Sequence, residues 1–174
     1  MYNKTYERKL YRMKEIISSV LSLLLILVIL WFNYSIANIF VTIYKCKKVD
    51  NSLRFCFNTL GKFFFLILII VYIASVIGGL TSIIYGLINN AKSFWEIGIQ
   101  VFAFVSVITA YFLSSLVLVG KKYMMVGRMM IDYRKLKKVN FGFDKKMSFV
   151  YAQNEYHFST RFIDVTSLRK KIAQ

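Results

Sequence analysis

Three long apolar runs, residues 16–44, 63–88 and 97–119, constrain this chain more than any other feature. A backbone in hydrocarbon must satisfy its own polar groups, so it crosses as a helix, and about 20 apolar residues are needed to span the core. Each run is long enough. The chain has 174 residues, 57% of them hydrophobic, and a mean hydropathy of +0.54. One soluble core of that size could not hide so much apolar surface. A helical, membrane-spanning architecture is therefore expected.

The first run is longer than one comfortable span and too short for two, and it carries Asn33, Ser35 and Asn38. Two readings follow: a single tilted helix, which we favour, or a re-entrant hairpin turning at "FNYS". Its basic start and apolar core imitate a signal peptide, but no small-residue cleavage pattern follows and further spans come after it, so it is expected to be retained. Between the second and third runs, "NNAKSFW" reads as a polar turn with Trp95 at an interface, making those spans an antiparallel hairpin.

Lysine and arginine resist translocation, so their distribution orients the chain. Five lie before the first run, five within 45–62, one in the second turn, and thirteen after residue 119. Three spans place 18 on one face and 6 on the other, which puts the C-terminus inside and the N-terminus outside. A re-entrant first run would bring the N-terminal tail inside as well. The net charge of +16 thus belongs opposite anionic lipid; no recognised nucleic-acid motif accompanies it.

In lipid, small side chains four residues apart mark faces where helices approach closely. The second run has Ala74, Gly78, Ser82 and Gly86; the third has Ser106, Ala110 and Ser114. These faces are expected to pack within the hairpin, or to admit a second copy or a partner helix. The second run after Lys62 and the third after Glu96 lack ionisable residues of the kind that line proton and ion pathways, which argues against a coupled transporter. A pore assembled from Ser- and Thr-lined copies stays open as a reading.

Beyond residue 120 the period changes. "YMMV" and "RMMIDY" flank Gly127 as a tight hairpin would. "MSFVYAQNEYHF" puts Met147, Phe149 and Tyr151 on one face, then Tyr156 and Phe158 after a turn near Gln153 and Asn154. "KLKKVNFGF" alternates Leu136 and Val139 imperfectly. "DVTSLRKKI" opens on Asp164, a good N-cap, and ends on lysines, as a closing helix should. The expected fold is a membrane α-helical protein of three transmembrane helices followed by a small α+β module of antiparallel strands and one terminal helix, with domains at 1–120 and 121–174.

"MMIDYRKLKKV" and "RFIDVTSLRKKI" resemble the strand–turn–strand and closing helix of small PH-like modules that follow membrane spans in bacterial multi-pass proteins. The resemblance covers about the last 50 residues, with Tyr133 where the family has Trp. The region is shorter than a whole PH domain, so a partial sheet completed by a second copy is a natural arrangement. What the resemblance implies is a cytoplasmic module and a self-protection (immunity) or accessory role at the bacterial inner membrane. A pore-forming or holin-like effector, or a subunit of a larger membrane complex, are the alternatives.

Lys135, Lys137, Lys138, Lys145 and Lys146 are the residues expected to meet anionic headgroups, at about 1 kcal/mol each near the surface. Partners are thus the bilayer and a second copy or membrane partner, with no nucleic acid. Catalysis is not expected. His157 stands alone, opposite the aromatic face of its strand; Cys46 and Cys56 are too few for a zinc cluster and read as free thiols in a reducing compartment. Asp132 and Asp164 read as turn and cap residues, and no phosphate loop or activated nucleophile is present. No metal or cofactor is expected.

Overall fold

The computed structural model describes residues 2–142 and 145–172. The chain forms two compact units, Met1–Asn33 with Val71–Ile108, and Tyr34–Ile70 with Thr109–Gln174. Three helices are long and apolar enough to cross a membrane, and antiparallel sheets and a terminal helix follow them.

Helix α1 runs from Tyr2 to Val49 without a break, through the "FNYS" stretch where a hairpin would have turned. The reason is local. No Gly or Pro occurs in this segment, and its polar side chains serve the helix itself: Asn33 Nδ2 donates to the Ile29 carbonyl (2.8 Å) and Thr42 Oγ1 to the Asn38 carbonyl (2.8 Å). At 1.5 Å per residue the helix is about 72 Å long.

In the first unit, α2 (Thr59–Ile88) and α3 (Lys92–Leu113) form a hairpin whose turn places Asn90 at φ 52. Their closest approach is set by glycine. A Cβ on Gly98 would lie 2.6 Å from Ser82 Cβ, one on Gly86 2.9 Å from Trp95 Cβ, and one on Gly79 3.1 Å from Phe102 Cβ. A polar cluster joins all three long helices. Asn33 of α1 accepts from the Tyr72 hydroxyl of α2 and donates to Ser106 Oγ of α3 (3.3 Å). Among apolar neighbours such a bond has little water to compete with it.

The second unit holds two antiparallel sheets. The first has the order β1 (Arg54–Phe55), β2 (Val117–Val119), β3 (Tyr123–Val126), β4 (Met129–Asp132). The second has β5 (Lys137–Phe141), β6 (Lys146–Tyr151), β7 (Asn154–Ser159). Helix α4 (Val165–Ile172) follows. Both sheets and α4 share one core of Cys56, Val117, Met124, Ile131, Met147, Phe149, Ile163 and Leu168.

Two features depart from the periodicity reading. The third apolar run is not all helix: α3 stops at Leu113, the Ser114 and Ser115 hydroxyls donate back to the Tyr111 and Phe112 carbonyls (2.6 and 2.7 Å), and residues 117–119 become β2. Such back-bonding competes with helix propagation, and the β-branched residues that follow suit a strand. In addition, the connection between α1 and α2 contributes β1, paired as Arg54↔Val119 and Phe55↔Leu118. The expected hairpins form. Gly127, at φ 59, turns β3 into β4, and a Cβ there would meet the Ser114 carbonyl at 2.5 Å. The β6–β7 turn sits one residue earlier than expected, at Ala152 and Gln153, with φ 50 and 68, the mirror-image turn that matches strand twist. Lys138, at φ 49, marks a shift in the β5–β6 register, which explains the imperfect alternation of "KLKKVNF".

The glycine contacts generate a direct test. Gly98→Ala pushes a methyl into Ser82 and should lower stability by about 1–3 kcal/mol. Gly78→Ala, where a Cβ meets nothing within 4 Å, should be neutral or stabilise by up to about 1 kcal/mol through helix propensity. Unfolding of the detergent-solubilised chain, followed by circular dichroism, checks both; equal losses would contradict this packing.

Candidate functional site

Of the small-residue positions read from sequence, Ser82 and Gly86 lie in the α2–α3 contact, opposite Gly98 and Trp95. Ser106 is buried against Asn33, and Ala110 is buried. Ala74, Gly78 and Ser114 are exposed. The residues that set the α2–α3 spacing therefore include Gly79 and Gly98, which four-residue counting passes over.

Lys135, Lys137, Lys138, Lys145 and Lys146 are all exposed. Lys135 ends a single 3-10 turn, Tyr133–Lys135, that Asp132 caps by accepting from the Arg134 backbone N–H (3.0 Å). The register assigns faces to two of the lysines. Met147 and Phe149 point into the core, so Lys146 and the residue paired with Val150, Lys137, share the outward face of the second sheet. His157 lies on that face too, beside Glu155 at 3.6 Å.

A second group of cations surrounds a cavity of about 600 Å³ in the second unit. Arg54 of β1, Lys121 just after β2, and Lys170 and Lys171 of α4 reach it from three separate parts of the chain. Its apolar wall comes from Phe55, Phe57 and Val119, and the Phe55 and Phe57 rings stack at 5.3 Å.

Local geometry holds these pieces in place. Asp50 Oδ1 accepts from the Ser52 backbone N–H (2.9 Å) and hydroxyl (2.5 Å), while Asp50 Oδ2 accepts from the Lys122 N–H (3.3 Å). Ser52 Oγ in turn accepts from the Lys121 N–H (2.7 Å). Burial alone would raise the Asp50 carboxyl, but the bonds from Ser52, Lys122 and Tyr123 outweigh it and hold the pKa below its ordinary value. The Cys56 N–H donates to the Val117 carbonyl (3.1 Å) and the Asn58 N–H to the Phe162 carbonyl (3.2 Å). Gly61 is needed at the start of α2, because a Cβ there would stand 2.3 Å from the Phe162 oxygen.

Asp164 caps α4. Its carboxylate accepts from the Ser167 and Thr166 hydroxyls (2.6 and 2.5 Å) and from both backbone N–H groups (3.2 and 3.1 Å). Those bonds, the Ser167 hydroxyl first, hold its pKa at about 2. The Cys56 thiol, buried and facing the Asp164 charge, is pushed up to about 11, so at neutral pH it is a protonated packing group and a poor nucleophile. Among the described residues no three His, Cys, Asp or Glu gather as a metal site.

Beside the cavity lies an aromatic cluster. Phe64 stacks on Phe162 at 4.4 Å and meets Phe112 edge-on at 4.7 Å, while Phe57 stacks on Phe65 at 4.7 Å. The phenylalanine run at 63–65 is the sequence signal for it; Phe162 carries none. The four cavity cations were equally hard to foresee, since Arg54 and Lys121 sat in separate basic segments and Lys170 and Lys171 read as ordinary C-terminal residues of a helix.

Comparison with protein-family models, curated proteins and solved structures finds no match to this chain.

The Asp164 cap has a pH signature. Its carboxyl titrates near 3.8 when unfolded and about 2 when folded, so its stabilisation is present above pH 4 and is lost as pH falls toward 2. Asp164→Asn keeps the acceptor and should shallow the loss of near-UV circular dichroism across that window; Asp164→Ala should cost about 1 kcal/mol already at neutral pH. An unchanged acid slope in Asp164→Asn would contradict the assignment.

Proposed function

We propose that the chain is a multi-pass protein of a bacterial cell (inner) membrane, with three spans and a cytoplasmic sheet module, and that its role is non-enzymatic. Within that class the reading best supported is self-protection against a membrane-active agent, or an accessory role beside such a protein. The observation that carries the membrane assignment is the apolar surface of the helices. Leu66, Ile70, Ile73, Ile77 and Ile84 of α2 and Ile97, Val101 and Phe104 of α3 are each more than half exposed, as are Leu23, Leu27 and Leu30 of α1. At about 25 cal/mol per Å² that exposure is costly in water and costs nothing in lipid.

Charge supports the orientation. The 45–62 segment and the region after 119 hold 18 of the 24 Lys and Arg, and the two spans between them, α2 and α3, return the chain to the same side, while an uninterrupted α1 leaves the N-terminal tail on the other. The outward Lys137 and Lys146, with Lys135, Lys138 and Lys145 nearby, then meet the anionic leaflet at about 1 kcal/mol per charge. The assignment to self-protection extends the resemblance of the C-terminal sequence to PH-like modules and is an analogy of class.

A second reading has its own observation. Ala74 and Gly78 form an exposed small-residue face on α2, open enough at Gly78 to admit another helix, and this favours an oligomeric pore or a subunit of a larger complex.

Expression in a bacterium sensitive to a membrane-active bacteriocin separates the readings. Self-protection predicts several-fold higher survival with dye exclusion intact, and loss of much of that gain when the five lysines are changed to Gln. Dye leakage and growth arrest on expression alone would favour the pore and contradict protection.

A further inference from the structure

We infer that the cavity bounded by Arg54, Lys121, Lys170 and Lys171 is a binding site for a phosphate group carried on an amphiphile, as in the headgroup of an anionic phospholipid. This deepens the membrane reading but occupies a different surface from the five lysines.

The cavity gathers positive charge that has no ion-pair partner among the described residues. Four cations line one cavity of about 600 Å³, and none of them forms an ion pair with another described residue. Among the described residues of the lining Asp164 is the one acidic group, and these residues together carry a net charge of +3. Its oxygens are already committed to Thr166 and Ser167, and its distance from the four ammonium and guanidinium groups exceeds that of a salt bridge. Like charges gathered in a concave, partly apolar site repel one another, and the repulsion is relieved when an anion enters.

The placement of the cations is built into the fold. Leu168 is fully buried in the core, which fixes the rotation of α4, and Ser167, Lys170 and Lys171, spaced i, i+3 and i+4, are held together on the cavity side. Across from them, the pairing of Arg54 with Val119 places Arg54 at the end of the short β1–β2 ladder, two residues before Lys121. The Lys121 backbone is tied to Ser52.

The chemistry of the lining selects the ligand. The Ser167 hydroxyl is spent on Asp164 and that of Ser52 on Asp50, so the free donors are cationic: three ammonium groups and one planar guanidinium. Such a set favours a multiply charged tetrahedral oxyanion, with Arg54 able to engage two oxygens at once. The Phe55, Phe57 and Val119 wall adds apolar contact for which a bare inorganic ion has no use, whereas the glycerol and first methylenes of a lipid do. The volume lies in the range of small-ligand sites.

The test uses the full-length chain in a non-ionic detergent, where the result does not depend on which membrane face the module occupies or on any protective role. Short-chain phosphatidic acid, short-chain phosphatidylcholine and inorganic phosphate are the probes, read by native mass spectrometry and by ligand-induced thermal shift. Phosphatidic acid should bind in preference to phosphatidylcholine, and Lys121→Gln with Lys170→Gln should weaken it at least about tenfold, the effect expected for losing charge-assisted bonds. Lys137→Gln with Lys146→Gln, on the outward face of the second sheet, should change it little. If inorganic phosphate competes at similar concentration, the phosphate alone is recognised and its source is soluble; if it does not, the amphiphile is. Binding of neither anionic probe, or equal weakening by the two variant pairs, would overturn the assignment.

Discussion

The second unit depends on the short connection between α1 and α2 being part of the sheet it precedes. Residues 50–58 make contacts that reach far along the chain: Ser52 to Lys121, Cys56 to Val117 and Asp164, Asn58 to Arg161 and Phe162. Phe57 bridges to Ile163. Closing loops of such length costs entropy that grows only as the logarithm of their size, and the shared core of Cys56, Val117, Ile163 and Leu168 offsets it. The first sheet therefore has its outer strand supplied from between two long helices, and the cationic cavity exists only because that strand is there.

A different economy governs the first unit. Apolar side chains give helices no preference for one another over lipid, so contact has to come from close backbone approach and from polar groups that find each other. Gly79, Gly86 and Gly98 provide the first, and the Asn33, Tyr72 and Ser106 cluster provides the second, one residue from each long helix. Neither is large. Together they distinguish one arrangement of three featureless apolar surfaces from many others.

Local signals were legible in the sequence, and long-range ones were not. Gly127, the period-two run from Met147 to Phe158 and the Asp164 cap announce the β3–β4 hairpin, the β6–β7 hairpin and α4, because each is specified within a dozen residues. Strand β1 has two residues and no periodicity to detect; only its partner, Val117–Val119, makes it a strand. That partner was itself hidden at the end of an apolar run, where hydropathy does not separate helix from strand. The four-residue spacing of small side chains groups Ser82 and Gly86, which lie in the α2–α3 contact, with Ala74 and Gly78, which are exposed, since composition does not state which way a helix is turned. The exposed lysines were legible as a group, while the cavity cations, drawn from Arg54, Lys121 and α4, become neighbours only through folding.

The participation of residues 50–58 in the sheet is most directly tested by hydrogen–deuterium exchange on the full-length chain. The Cys56 and Asn58 amides, bonded to the Val117 and Phe162 carbonyls, should exchange as slowly as those of Met124 and Ile131 within the β3–β4 ladder. Rapid exchange at Cys56 and Asn58 while Met124 and Ile131 stay protected would contradict it.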